Sequence, residues 1–278
     1  MELYTRAARD SSARVIAAYS TSFGWATKLL SPPMRQPVRD IYAMVRVADE
    51  IVDGPAREAG ADAAAILDGF EAETYAAIRV GFSANLTLHA FAQTARKYGI
   101  EQDLIEPFFA SMRADLTETS HTQESFERYI YGSAEVIGLM CLRVFTAESG
   151  RTYSQAELEI LDAGACALGS AFQKVNFLRD ISADFNRLGR SYFPGLTPSN
   201  FNNVKRDELV ADIDAEIAQA AATLALLPTG ARRAVKAALL LFAALNSAIA
   251  KTEASKLATT RIRVSDLRKL FIVLRALG

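Results

Sequence analysis

The stretch AGACALGSAFQKVNFLRDISAD, residues 163–184, decides the fold class. It has no alternation of period two, and its apolar residues recur at helical spacing. Its first half is built from small residues: Ala163, Gly164, Ala165, Ala167, Gly169, Ser170 and Ala171. Such residues let helices approach closely, or leave room for a ligand. Its second half places Gln173, Asn176, Asp180 and Asp184 at i, i+3, i+7 and i+11, one polar stripe on an otherwise apolar helix. Arg179 adjoins the stripe and can grip a phosphate with its planar fork.

The rest of the chain reads the same way. Further helices are predicted over about Ser11–Ser22, Met34–Val52, Asp62–Arg79, Leu86–Tyr98, Gln102–Leu116, Gln123–Phe145, Gln155–Ile181, Arg206–Leu227, Gly230–Ala258 and Ser265–Leu277. Ser191–Asn203, with Pro194, Gly195 and Pro198, is the evident loop. A second small-residue patch, Gly132, Ser133, Ala134 and Gly138, lies inside one of these helices. The expectation is an all-α protein, one domain over 1–278.

Composition narrows the function. Half of the 278 residues are hydrophobic and 23% are charged, which describes a globular chain. Net charge is −1, so a charged ligand needs a local cluster of partners. The C-terminal cations Arg261, Arg263, Arg268, Lys269 and Arg275 are spread out, so no nucleic-acid partner is expected. Cys141 and Cys166 have no metal spacing and read as small buried hydrophobes in a reducing compartment. Residues 1–12 are charged and lack a signal-peptide apolar run. The most hydrophobic stretch, Ala237–Ala250, reads as too short to span a bilayer. The chain is expected in the cytoplasm, with at most peripheral contact with the inner face of a membrane. His89 and His121 fit no ligand spacing and read as surface or helix-end residues.

A second acidic segment completes the pattern. In RVADEIVD, residues 46–53, Asp49 and Asp53 are four apart, about 40° round a helix, with Arg46 on the same side. Like charges at that spacing destabilise a bare helix, so a cation is expected to offset them. Carboxylate and amide oxygens suit Mg²⁺, a hard octahedral ion, with Mn²⁺ as the alternative.

Five segments in order resemble the squalene/phytoene synthase family, from about Tyr19 to the C-terminus. YSTSF (19–23) is similar to its S-x-S-F segment, and YAMVRVADEIVD (42–53) to its first aspartate-rich motif. YIYGSAE (129–135) stands in place of Y-C-Y-x-V-A-G. LGSAFQKVNFLRDISAD (168–184) and GRSYFP (189–194) match the second motif and the G-R-x-Y-x-P that follows it. The resemblance implies an isoprenoid-synthase helical bundle round a central apolar cavity. It implies that Asp49, Asp53, Asn176, Asp180 and Asp184 hold Mg²⁺, and that Arg46, Gln173 and Arg179 position diphosphates. Tyr129 would lie near the reacting carbons. Ser20, Thr21, Ser22, Phe23, Tyr42, Arg190 and Tyr192 would line the substrate site.

The activity so implied joins two prenyl diphosphates head to head through a cyclopropylcarbinyl diphosphate. Small residues at Ala26 and Thr27 favour a longer tunnel and two C20 chains, giving phytoene, over two C15 chains giving dehydrosqualene or presqualene diphosphate. The extra carbons of a C20 tail are worth up to about 4 kcal/mol of burial. The chain's end at Gly278, without a membrane-anchor tail, favours a product formed without NADPH. A helical assembly protein without activity is the contrasting reading, and the retained aspartates argue against it. Glu135 departs from the family, which commonly has Gly there. It is expected either to reach a metal-bound water or an arginine, or to have no role.

Overall fold

The computed structural model describes residues 1–183, 185, 190–260, 262, 272 and 276, with backbone alone at 21–23. The elements among the described residues are helices with no strands; of the predicted 265–277 helix only Ile272 and Ala276 are described, both helical, and the rest lies outside the described residues.

The first helix begins at Glu2, well before the predicted Ser11. α1 spans Glu2–Tyr19 and buries Ala8, Ser12 and Ile16, at i, i+4 and i+8. Tertiary contacts extend it: the Tyr4 hydroxyl donates to the Ser83 and Ala84 carbonyls, and Thr5 bonds His89 at 2.9 Å. α2 (Thr21–Lys28) follows a one-residue break, and α3 (Pro32–Asp53) starts with two prolines in its first turn, where no N–H is required. α3 then buries Met34, Ile41, Met44, Ala48 and Ile51 along one face. After a short α4 (Pro55–Glu58), α5 (Ala63–Val80) and α6 (Leu86–Tyr98) are capped by the Asp62 and Asn85 side chains. They end on Gly81 and Gly99, whose φ of 80° and 64° favours glycine.

α7 (Gln102–Thr117) carries Phe108 and Phe109 into the core. The predicted Gln123–Phe145 helix is not uniform. α8 (Gln123–Ile130) passes through a π-helical turn at Tyr131–Glu135 into α9 (Val136–Ala147). Close packing accompanies the turn, because a Cβ on Gly132 would overlap the Pro107 carbonyl and the Ser111 hydroxyl. α10 (Gln155–Ala183), at 29 residues, is the longest helix among the described residues, and α11 is Asn203–Thr223. The predicted Gly230–Ala258 helix breaks into α12 (Thr229–Ala250) and α13 (Ala254–Leu257). There Arg206 takes the Thr252 carbonyl and the Asn203 side chain takes the Ala254 N–H. Backbone groups that would continue the helix are used by the start of α11.

The small-residue patches resolve in favour of close packing. An added Cβ at Gly169 would lie 2.7 Å from the Ala134 carbonyl oxygen, and one at Gly138 2.8 Å from that of Ala165. Two hydrophobic clusters result. One joins α3, α5, α6, α7 and α9 round Phe91, Phe108 and Phe109. The other joins α8, α10, α11 and α12 round Phe126, Val175, Ile213 and Phe242.

Two expectations about buried polarity and length are corrected. His89 is fully buried and His121 nearly so, because each packs its ring against tyrosines and bonds a hydroxyl. The apolar run Ala237–Ala250 forms one helix with the residues from Thr229, and the 22-residue whole is long and apolar enough to cross a membrane, as is Gln123–Ala147. Of their most apolar windows 39% and 50% respectively are buried inside the bundle. Asn246 is buried in the former, where it donates to the Val210 carbonyl and the Asp214 carboxylate.

Candidate active site

Asp49 and Asp53 lie on the last turns of α3, as their spacing requires. Arg46 pairs with Asp49 at 3.8 Å and with Glu50, and its guanidinium stacks 4.4 Å above the Tyr19 ring. Tyr42, one turn earlier, hydrogen-bonds Ser20, which ties the YSTSF segment to this face. Thr21, Ser22 and Phe23 belong to α2, and their side chains lie outside the described residues.

The neighbour of these aspartates that spacing did not reveal is Asp115, near the end of α7. It is buried and accepts from the Tyr129 hydroxyl at 2.8 and 2.9 Å and from the Tyr192 hydroxyl at 3.1 Å. Arg190 approaches its carboxylate at 3.8 Å and donates to its backbone carbonyl. Tyr192 comes from the predicted loop Ser191–Asn203, and Arg190 immediately precedes it. That loop is pinned by a bridge between Ser191 and Ser120, in which the Ser191 N–H donates to the Thr119 carbonyl at 2.9 Å. The site thus forms where the two hydrophobic clusters meet: Met112 of α7 belongs to one, Tyr129 to the other.

The electrostatics are those of an acidic recess. Burial, with the charges of Asp53 and Asp115, pushes the Asp49 carboxyl up to about 8 despite Arg46. Solvent still reaches 30% of that side chain, as expected of a group lining a concave surface. Burial among its neighbours also raises Asp53, against Arg190, Arg46 and Arg57, although its side chain at the helix end is open to solvent. Burial lifts Asp115 to about 6, tempered first by the Tyr129 hydroxyl. Tyr129 is driven well above an ordinary phenol by burial and then by Asp115, so it keeps its proton and donates it to the carboxylate.

Aromatic rings close one side. Phe177 of α10 stacks on Tyr192 at 4.0 Å with the planes 4° apart, and Tyr129 lies 5.4 Å from Tyr192. His121, not expected here, joins this group, 5.9 Å from Tyr192 and 5.1 Å from Tyr129. Burial lowers its pKa, and Ser125 and Glu118 hold its Nδ1. A small pocket lined by Phe177, Ile181, Phe185, Arg190 and Tyr192 opens alongside.

The second motif is placed less completely. Gln173 and Asn176 are half-buried on α10. Asp180 is gripped by the adjacent Arg179 at 2.7 and 3.2 Å. Asp184 lies outside the described residues. Among the described residues, no three His, Cys, Asp or Glu side chains are grouped closely enough to hold a metal ion. The donor set is nevertheless all oxygen, and the repulsion lifting Asp49 is the kind that a hard cation relieves. Glu135 meets no metal ligand or arginine in the described contacts. It hydrogen-bonds the Cys166 thiol, and burial raises its pKa. Both cysteine thiols are themselves pushed up to about 12 by burial. Thr27 is buried with its hydroxyl donated to the Gly24 carbonyl.

Comparison with known proteins shows the family of the chain. A profile of the squalene/phytoene synthase family matches residues 16–268. The chain is similar to a 15-cis-phytoene synthase from Paracoccus sp., 34% identical over 66% of this chain and 59% of that protein. It is similar to a phytoene synthase from Pseudescherichia vulneris, 32% identical over 69% of this chain and 63% of the other. The match thus spans less than two thirds of the length of these relatives. In fold it superposes on a dehydrosqualene synthase solved with a ligand, TM-score 0.78 at 19% identity, covering 98% of this chain and 96% of the other. A squalene synthase from Alicyclobacillus acidocaldarius gives 0.75 at 20% identity, covering 94% and 97%. With five motifs in order, the helical bundle and a family profile spanning nearly the whole chain, the protein belongs to the squalene/phytoene synthase family.

Proposed function

We propose that the chain, as one prenyl synthase domain over 1–278, condenses two geranylgeranyl diphosphates head to head to give phytoene, with release of two diphosphates. The observation that carries this reading is the acidic recess of Asp49, Asp53 and Asp115, bordered by Arg46, Arg190 and the protonated Tyr129. Relatives named phytoene synthase at 34% and 32% identity favour the C20 substrate. Asp49, Asp53, Asn176, Asp180 and Asp184 are the residues that would hold Mg²⁺. When bound, that ion neutralises diphosphate charge and so favours ionisation of the allylic C–O bond.

The chain's own groups do the rest. Arg46, Arg190 and Arg179 with Gln173 orient the diphosphates, and Ser20, Thr21, Ser22, Phe23 and Tyr42 form the adjoining wall. The faces of Tyr129, Tyr192 and Phe177 stabilise positive charge as the carbon centre ionises. The Tyr129 hydroxyl, held by Asp115, lies ready to pass a proton between the substrate region and that carboxylate. The apolar wall behind them excludes water, which would otherwise capture the cation. The same proposal places the protein in the cytoplasm, with contact at a membrane surface.

Mass spectrometry of the products from geranylgeranyl and farnesyl diphosphates, each with Mg²⁺ and with a chelator, tests the proposal. Phytoene from the C20 substrate, abolished by the chelator, is expected. Turnover of farnesyl diphosphate alone would replace the C40 reading with the C30 one.

A further inference from the structure

The net charge of −1 conceals a polarised chain. Residues 11–39 and 217–252 together hold eight of the 31 lysines and arginines and none of the 32 aspartates and glutamates. These two segments pack against each other. α2 lies on α12, the Ser31 N–H donates to the Gly230 carbonyl at 2.8 Å, and an added Cβ at Gly230 would sit 2.6 Å from the Ser31 hydroxyl. The junction therefore gathers Lys28, Arg35, Arg232, Arg233 and Lys236 within a few helical turns. Lys28 and Arg233 are exposed, and among the described residues none of the five forms an ion pair. Arg35 and Arg232 also brace the turns by donating to the Leu30, Ala225 and Leu227 carbonyls.

Apolar groups accompany the cations. Trp25, three residues before Lys28 and so on the same side of α2, is 39% exposed, and Tyr19 at the preceding bend is 52% exposed. α12 adds no exposed apolar side chain: only Thr229 and Arg233 of that helix are exposed, and its other residues are buried or half-buried. Cations beside an exposed tryptophan and an exposed tyrosine match an interfacial lipid surface. An acidic protein or a nucleic acid would use the cations and leave the apolar surface unmatched.

We propose that the face formed by α2, the α2–α3 turn and the start of α12 docks the protein on anionic lipid bilayers. Tyr19, the last residue of α1 before α2 begins, lies under Arg46, so this face flanks the acidic recess. A prenyl diphosphate partitioned in the bilayer would meet the site without crossing bulk water. The inference does not depend on which prenyl chain is used.

Flotation with phosphatidylcholine vesicles, with and without phosphatidylglycerol, tests it. Binding is expected on the anionic vesicles alone and should fall steeply as salt rises. The triple variant K28E/R233E/K236E should lower the partition coefficient by at least about a hundredfold, from the loss of about fivefold or more per charge. Trp25→Ala should lower it several-fold with its salt dependence unchanged. Circular dichroism, melting temperature and turnover of detergent-dispersed substrate should match the parent, which separates docking from catalysis. Equal binding to both vesicle types, or no binding by the parent, would overturn the proposal. So would unaltered binding by the folded triple variant, or capture by heparin without capture by vesicles.

Discussion

One helix, α3, carries Asp40 near its start and Asp49 near its end, and the two are treated in opposite ways. Asp40 is fully buried. It accepts from Gln36 at 2.8 Å, from Thr94 at 2.9 Å and from Ser12, so that α1, α3 and α6 are stitched together by one carboxylate. Burial lifts it only to about 6 because those donors oppose the rise. Asp49 has solvent on one side and a single arginine at 3.8 Å, and burial together with two further carboxylates pushes it to about 8. A carboxylate whose lone pairs are all taken serves the fold. One surrounded by like charge, at the bottom of a recess, is held ready for a cation the chain does not supply.

Replacing each in turn should separate them. Asp49→Asn is expected to lower kcat by about a thousandfold, while the melting temperature of the metal-free protein rises as repulsion with Asp53 and Asp115 is relieved. The melting-temperature gain on adding Mg²⁺ should shrink as well. Asp40→Asn should leave kcat within about twofold, since Asp40 lies on the α1–α6 side of the helix. If Asp49→Asn kept full activity, or Asp40→Asn abolished it in a folded protein, the contrast would collapse.

The pH dependence of stability sharpens the Asp40 side. Below about pH 3.8 the carboxyl is protonated whether the chain is folded or not. As pH rises the unfolded chain ionises first, so this group lowers stability between about pH 4 and 6 and adds no further slope above that. The full change is up to about 3 kcal/mol. Urea titrations of parent and Asp40→Asn across that window should differ by this slope, and parallel curves would show that Asp40 does not titrate as described.

Smaller effects should come from the groups around the recess. Tyr129→Phe removes the donor to Asp115 without changing shape, and is expected to lower kcat by about a hundredfold with KM little altered. A change confined to KM would make Tyr129 a binding group only. Gly169→Ala should cost about 1–3 kcal/mol, because its Cβ would press on the Ala134 carbonyl. Gly69→Ala, at an open position within α5, should instead stabilise by about 1 kcal/mol. Equal melting temperatures for the two alanine variants would show that the α10 contact with the π-helical turn is looser than described.

The first aspartate pair, its arginine and the aromatic residues of the GRSYFP segment were legible because each is a local pattern. Asp115 and His121 were not, since each is a single residue with no partner at helical spacing. A signal for Asp115 existed all the same. It falls on the same α7 face as Leu104, Phe108, Ser111 and Met112, where a charged residue interrupts a buried stripe. Asp40 interrupts the α3 stripe in the same manner, so that signal finds buried carboxylates without telling the structural from the functional ones. The helix ends that reading missed, at Glu2 and at Lys251–Glu253, are those fixed by contacts from distant residues.

Helical periodicity, the small-residue patches and the order of the motifs follow from covalent neighbours. The sequence by itself therefore determined an all-α family member with two acidic helix segments. Which carboxylates meet, which are satisfied and where the cations collect depend on helices far apart in the chain coming within a few ångströms. Glycines at 132, 138 and 169 permit that approach by omitting a side chain. Only the tertiary structure decided that Asp115 joins Asp49 and Asp53 and that Asp40 does not, because burial and like-charge repulsion act through space and not along the chain.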